Sequence, residues 1–500
     1  MEISVINAQN GWWKQGERFD EFDPQFQILR QSKIIFNRSM PGLSQGKISV
    51  IRGPRQSGKT VLIKQTIEYL IKKQKVNPRA VCYLTCDRFA SGSRKELRRA
   101  LEFLISGARE LPLIYVFLDE INYIKEWEYE LKSMADLGLI SKMCIVATGS
   151  SPALLKTKVE LLPGRGVNEY YLKPLSFREF VIHLCDKINY VVENKDAILF
   201  QNLGKKLNSI SVNLEEQGKL ADALNEISPF KSELDFLFSV YLITGGFPKA
   251  INNYIAHVYE KRVKNLDSEI YEDLMRVILT DIQKHSKKET ISKQILNGIM
   301  KRITSRYSYT TLSKETEEGI TQPTITDYVE LFEESFLTKI LYSYDFTKKL
   351  IRPKADKKVF FTDPFISHSI GAWLSGRNGF ELSLEKIENE DILGKIMEGI
   401  VGEHLILTKE KPLLVHPDTF LWYFYNGGKE IDFIYKKEDG NYQGIEVKYQ
   451  HSISDKEISR ISNVPEYIVL TRDEMRSFKN VKFVPLVLFL AVLSKSEKNL

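Results

Sequence analysis

The chain has 500 residues, 43% of them hydrophobic, and a net charge of +6; at the usual 100–200 residues per domain this length calls for about three globular domains. Its four cysteines, Cys82, Cys86, Cys144 and Cys185, show no metal-ligand pairing and no secreted framework, so they are expected as reduced, mostly buried thiols of a cytoplasmic protein. No secretory leader is read, and the longest apolar run, Pro485–Leu493, falls far short of the roughly 20 residues of a membrane span, which excludes a membrane partner. The mild basic excess suits an acidic partner such as nucleic acid.

In chain order, residues 1–44 form a leader. Its adjacent Trp12 and Trp13 are expected to pack over a neighbouring domain. The β-branched run Lys47–Arg52 then reads as a strand. The following stretch, Gly53-Pro54-Arg55-Gln56-Ser57-Gly58-Lys59-Thr60, fits G-x-x-x-x-G-K-[ST]. Ile63, Ile67, Leu70 and Ile71 recur beyond it at helical spacing. Strand, glycine turn and helix together are the setting of a phosphate-binding loop. Its backbone N–H groups face the α and β phosphates of ATP, Lys59 reaches the β and γ phosphates, and Thr60 is placed to ligate Mg2+.

Ala80–Thr85 reads as a second strand leading to Asp87, and Leu113–Leu118 as a buried parallel strand delivering Asp119 and Glu120 at its C-terminal end. Asp119 is expected to hold Mg2+ through water and Glu120 to polarise the attacking water. A third strand, Met143–Ala147, ends in Thr148-Gly149-Ser150-Ser151, where Thr148 or Ser150 would sense the γ-phosphate. Arg165 in the turn Leu162–Gly166 either reaches that phosphate, in this chain or in a neighbouring copy, or is an ordinary surface arginine. Tyr170–Leu172 reads as a fifth strand, and Pro174–Phe180 leads into a helix.

These residues carry a resemblance. The phosphate loop, Leu118-Asp119-Glu120-Ile121, Thr148–Ser151, Gly164-Arg165 and Pro174-Leu175-Ser176-Phe177, with the tryptophan pair and Asp87, resemble archaeal and bacterial AAA-type ATPases bearing a C-terminal restriction-endonuclease-like domain. The resemblance implies an α/β multidomain chain: a P-loop core at 45–185 with parallel strand order 5-1-4-3-2, a helical lid or insertion at 186–290, a winged helix at 291–380 and the nuclease-like α/β domain at 381–500.

The later stretches agree with that plan. Gly245-Gly246-Phe247-Pro248 reads as a helix break, although it also resembles a turn of the family. Thr321-Gln322-Pro323 opens a helix with inner stripe Ile325, Tyr328, Val329, Phe332 and Phe336. Lys348, Lys349, Arg352, Lys354, Lys357 and Lys358 then mark a basic hairpin that either grips DNA phosphates or merely solvates an exposed wing. Against binding stand Asp327, Glu330, Glu333 and Glu334 on the helix.

In the last segment Glu398 flanks the apolar face made by Met397, Ile400, Val401 and Leu405, while Glu403 is expected nearer water. Asp432 lies on one strand, and Glu446 and Lys448 share a face of the next. The order E…D…E-x-K resembles the PD-(D/E)XK nuclease core. Asp432, Glu446 and Glu398 would hold Mg2+, or Mn2+ in its place, and Lys448 would orient or deprotonate water. The expected function is an Mg2+-dependent ATPase that controls the engagement or cutting of DNA, with RNA as the other substrate and self-association into a homo-oligomer. The rival is an ATP-dependent switch or scaffold whose nuclease-like domain only binds nucleic acid or protein.

Overall fold

Strand β1 (Lys47–Arg52) lies inside a five-stranded parallel sheet with β2 (Val81–Thr85), β3 (Ile114–Asp119), β4 (Met143–Thr148) and β5 (Val167–Tyr171), in the order β2-β3-β4-β1-β5. This is the expected 5-1-4-3-2 order. The computed structural model describes residues 3–38, 40, 42–107, 110–149, 167–190, 192, 194–316, 320–409 and 417–494. Those up to Lys173 form one compact unit and those from Pro174 onward a second.

In the first unit, β1, β3 and β4 are buried almost throughout because both faces of the sheet are covered. The helix Lys59–Glu68 and residues Tyr69–Lys73 bury Ile63, Ile67, Leu70 and Ile71 on one face. The helices Arg94–Gly107 and Trp127–Asp136 cover the other.

The open edge of this sheet explains the leader. Edge strands expose unpaired backbone groups, and here side chains satisfy those of β2. Asn10 accepts from Tyr83 N–H at 2.7 Å and donates to the Tyr83 carbonyl at 2.9 Å. Gln9 accepts from Thr85 N–H at 2.7 Å. The indole N–H groups of Trp12 and Trp13 both donate to the Val81 carbonyl, at 2.8 and 2.9 Å. The tryptophan pair therefore seals a sheet edge within the leader's own unit. All four cysteines are buried and free.

The second unit begins with helices. Helix Lys231–Thr244 ends at Gly245, whose φ of +54° suits glycine. A side chain at Gly245 would collide with the Asp363 carboxylate, and one at Gly246 with the backbone of Leu175. The glycine pair thus breaks the helix, as expected, and also admits Asp363 to the turn. Asp363 accepts from Gly246 N–H and from Phe365 N–H, both at 2.8 Å, and the second bond caps the helix Pro364–Ser375.

Burial pushes Asp363 up to about 7, against the pull of its two N–H donors. The folded state holds its proton more tightly than the unfolded chain, whose aspartate titrates near 3.8. The stability that this one group contributes is therefore fullest below that value and declines as pH rises towards 7, by about 4 kcal/mol over the interval. Asp363→Asn is expected to remove this decline, read from denaturant unfolding of both proteins between acid and neutral pH. Equal pH slopes would place the titration elsewhere.

The helices Glu289–Lys301, Tyr309–Lys314 and Gln322–Glu334 follow, the last capped by Thr321 with Pro323 in its first turn. Ile325, Tyr328, Val329 and Phe332 are its buried stripe. Phe336 falls outside the helix, at φ +61° beyond its end. Then come β6 (Thr338–Tyr342), the short hairpin β7 (Tyr344–Asp345) and β8 (Leu350–Ile351), and β9 (Lys357–Phe361), which pairs antiparallel with β6.

The rest of this unit is a mixed six-stranded sheet. Its strands are β10 (Leu421–Asn426), β11 (Lys429–Lys436), β12 (Tyr442–Val447), β13 (Glu466–Thr471), β14 (Arg476–Phe478) and β15 (Val481–Pro485), in the order β10-β11-β12-β13-β15-β14. The pairs β12–β13 and β13–β15 are parallel and the others antiparallel. The apolar run near the C-terminus is the end of β15 followed by the wholly buried helix Leu486–Val492. Helix Glu390–Thr408 turns Gly399 and Gly402 to Phe360, and a Cβ on Gly402 would stand 2.7 Å from that ring. This close approach sets Glu398 against β9. Among the described residues no single helix is long and apolar enough to cross a membrane.

Candidate active sites

The first site lies where β1, β3 and β4 end. Glycine is needed at Gly53, where any Cβ would meet the Leu172 carbonyl, and at Gly58, where φ is +94°. Lys59 Nζ donates to the carbonyls of Gly53 and Pro54, each at 2.8 Å, so its ammonium is held within the loop. Three hydroxyls converge on the Asp119 carboxylate. Thr60 donates to it at 2.7 Å, Tyr83 at 2.9 Å, and Thr148, from the adjacent strand β4, in a shorter bond. Glu120 follows with φ +55°, a left-handed conformation that costs a non-glycine residue about 1 kcal/mol or more.

Sequence reasoning missed Tyr83. Period two on β2 puts it on one face with Val81 and Thr85, a signal that was available but reads equally as core. Burial raises its phenol far above the ordinary value, so it serves Asp119 as a neutral donor. Lys64, at 4.2 Å from the Tyr83 ring centroid and 2.8 Å from Asp23, braces the ring from the other side. Ser150 and Arg165 lie outside the described residues.

The donor set fits a nucleotide with Mg2+. Thr60 and Asp119 lie within hydrogen-bond distance, close enough for one ion to serve both, and Ser57 Oγ is buried within the loop with no hydrogen-bond partner.

The second site is built by the helix Glu390–Thr408 and strands β9, β11 and β12. Glu398, Asp432, Glu446 and Lys448 come together there. Asp432 accepts from Val447 N–H at 3.0 Å, which ties β11 to the end of β12, and Lys448 Nζ stands 3.5 Å from Glu446 Oε2. Glu446 is 2% exposed, and its Oε1 has no hydrogen-bond partner.

A further group joins them. Lys358 is 2% exposed. Its Nζ lies 2.8 Å from Glu398 Oε1, 2.8 Å from Glu430 Oε1 and 3.1 Å from Asp432 Oδ1. Reading Lys358 as an exposed wing cation is therefore corrected. The alternation of β9 puts it on the inward face with Phe360, and that face meets the helix through Gly399 and Gly402. Lys357 is corrected too, being buried with its ammonium on the carbonyls of Pro353 and Ala355. Glu403, expected nearer water, is buried. At the helical advance it lies on the side that packs into the unit, and the long helix has neighbours on more than one side.

Burial raises Glu398 to about 7 and Glu446 to about 8, and the Asp432 charge adds to both. Burial would raise Asp432 as well, but the Lys358 ammonium and the Val447 N–H outweigh it and hold that carboxylate below its ordinary value. Burial opposes the charge on Lys358, yet Asp432, Glu398 and Glu430 raise it well above the usual lysine range. Among the described residues no three His, Cys, Asp or Glu side chains are already arranged as a metal-ligand group. The unpartnered Glu446 oxygen beside Asp432 suits a hard cation, whereas the lysine among the carboxylates competes with one.

Residues 45–181 match the family model of an AAA domain, and with the sheet order and the Asp119 geometry they constitute an AAA-type P-loop ATPase domain. Residues 235–378 and 393–489 match two families described as domains of unknown function. The chain is similar to an uncharacterized protein of Methanocaldococcus jannaschii, 26% identical over 412 residues, covering 80% of this chain and 74% of that one. A second uncharacterized protein of the same organism is 25% identical over 439 residues, covering 86% and 81%. Among solved structures, the Walker-type ATPase of Pyrococcus abyssi aligns with a TM-score of 0.40 at 14% identity, over 66% of this chain and 91% of that one.

Proposed function

We propose that the chain is an Mg2+-dependent ATPase whose ATP cycle governs the engagement of DNA by the second unit. The observation that carries this reading is the convergence of Thr60, Thr148 and Tyr83 on Asp119 beside the phosphate loop. Bound ATP with Mg2+ supplies the phosphoanhydride to be split. The loop amides and Lys59 bind its phosphates, Thr60 and Asp119 hold the metal, Glu120 orients and polarises water, and Thr148 reports on the γ-phosphate from the next strand. Tyr83 fixes the Asp119 rotamer. Ser150 as a second sensor and Arg165 as an arginine finger, acting in this chain or in a second copy of it, belong to the same reading.

Within the second unit we assign residues 186–290 to a helical lid, 291–380 to a winged helix and 381–500 to a nuclease-like domain. The hairpin β7–β8 and the turn after it expose Lys348, Lys349, Arg352 and Lys354. On the neighbouring helix Asp327 is paired with Lys287 and Glu333 with Lys339, which reduces the repulsion that those acids would offer to phosphate. Neutralising the four exposed cations together is expected to weaken binding to all duplex sequences alike. It should also flatten the slope of log affinity against log salt by up to about 3–4, at roughly 0.9 for each phosphate no longer neutralised. ATPase activity without DNA should persist. An unchanged salt slope removes the hairpin from the binding surface, and an ATPase indifferent to duplex, single-stranded DNA and RNA overturns the coupling.

The buried Glu446 Oε1, which has no hydrogen-bond partner, favours a second reading, in which the nuclease-like site also cuts, with Asp432 and Glu446 as metal ligands, Glu398 beside them and Lys448 activating water.

A further inference from the structure

We propose that the Lys358 ammonium occupies the seat of a divalent cation in the second site, so that Mg2+ or Mn2+ enters only by displacing this lysine. The inference rests on reading Glu398, Asp432 and Glu446 as a cation site and does not require that the site cut anything.

The three donors of an ammonium are matched by three acceptors from different parts of the unit: Glu398 on the long helix, and Glu430 and Asp432 on β11, at 2.8, 2.8 and 3.1 Å. A hard divalent cation is held by oxygens from separate carboxylates in the same manner, only closer, at about 2.0–2.6 Å. The two cations cannot share the position, since each would lose the carboxylates that repay its desolvation. Glu446 is the independent sign that the seat is made for more than a lysine. Its Oε1 is buried without a partner, while its other oxygen faces Lys448 at 3.5 Å. Lys358 satisfies Glu398, Glu430 and Asp432 but leaves that oxygen unmet. Around the seat Arg306 takes the other oxygen of Glu430 at 2.8 Å, so four carboxylates face three cations. Lys358 is carried by β9, a strand outside the six-stranded sheet, and so by a different element from Glu430, Asp432 and Glu446.

The test uses the full chain. Mn2+ binding is followed by calorimetry and by thermal melting, in wild type and in Lys358→Met, with the metal position of the first site silenced in both by Asp119→Asn. Lys358→Met is expected to bind Mn2+ at least about tenfold more tightly than its parent and to gain more in melting temperature on adding it. If the single variant does not fold without metal, Lys358→Met with Glu430→Gln removes one charge of each sign and carries the same expectation. Equal Mn2+ affinity in both proteins overturns the exchange and leaves the metal-site reading standing. Absence of Mn2+ binding from wild type and from both variants overturns the exchange and the metal site together.

Discussion

Glu120→Gln is expected to bind ATP as the wild type does and to hydrolyse it at least about a hundredfold more slowly, the usual loss when a positioned general base is removed. The substitution keeps size, the left-handed backbone at φ +55° and the N–H that donates to Asp119 at 3.2 Å, and it removes only the charge proposed to polarise water. Lys59→Ala should fail differently. It withdraws the one cation held inside the loop by the Gly53 and Pro54 carbonyls, and so it weakens binding of ATP itself. Nucleotide binding by calorimetry and phosphate release at saturating ATP separate the two. Wild-type turnover by Glu120→Gln would mean that another carboxylate handles the water.

The second large effect concerns the strand cleavage proposed for the second site, in Mg2+ or Mn2+. Asp432→Ala is expected to lower it about a thousandfold, since a ligated metal supplies several kcal/mol of transition-state stabilisation. Lys448→Ala should spare metal binding and slow the chemical step. Neither substitution should alter ATP binding, because the phosphate loop, Asp119 and Thr148 belong to the first unit. The fold should survive Asp432→Ala, because Lys358 keeps Glu398 and Glu430 as partners. Cleavage of single-stranded, duplex and branched DNA, with and without ATP, is the measurement. Equal cutting by Asp432→Ala and wild type, or none by wild type in either metal, would reduce the domain to a binding module.

The nucleotide site was legible because its chemistry is local. Gly53 to Thr60 are contiguous, and Asp119 and Glu120 directly follow the apolar run of one strand, so both could be named as candidates from one segment each. Period two likewise placed Glu446 and Lys448 on one face, and turn chemistry placed Gly245 at a helix end. What the sequence could determine, then, were residues whose role follows from their immediate neighbours and from the repeat of a single helix or strand.

Tertiary structure alone decided the rest. That Asn10, Trp12 and Trp13 seal an edge strand depends on groups about 70 residues away, and the edge exists only once the sheet has formed. Tyr83 became a partner of Asp119 only when β2 and β3 lay side by side. Lys358 in its run of basic residues has the composition of a solvated hairpin, and nothing in that run marks it apart from Lys348 or Lys349. The register of β9 turned it inward, two glycines let the long helix approach, and three carboxylates from two distant segments then outweighed the cost of burying its charge. Burial of an ion is settled by all its neighbours at once, and no single stretch of sequence contains them.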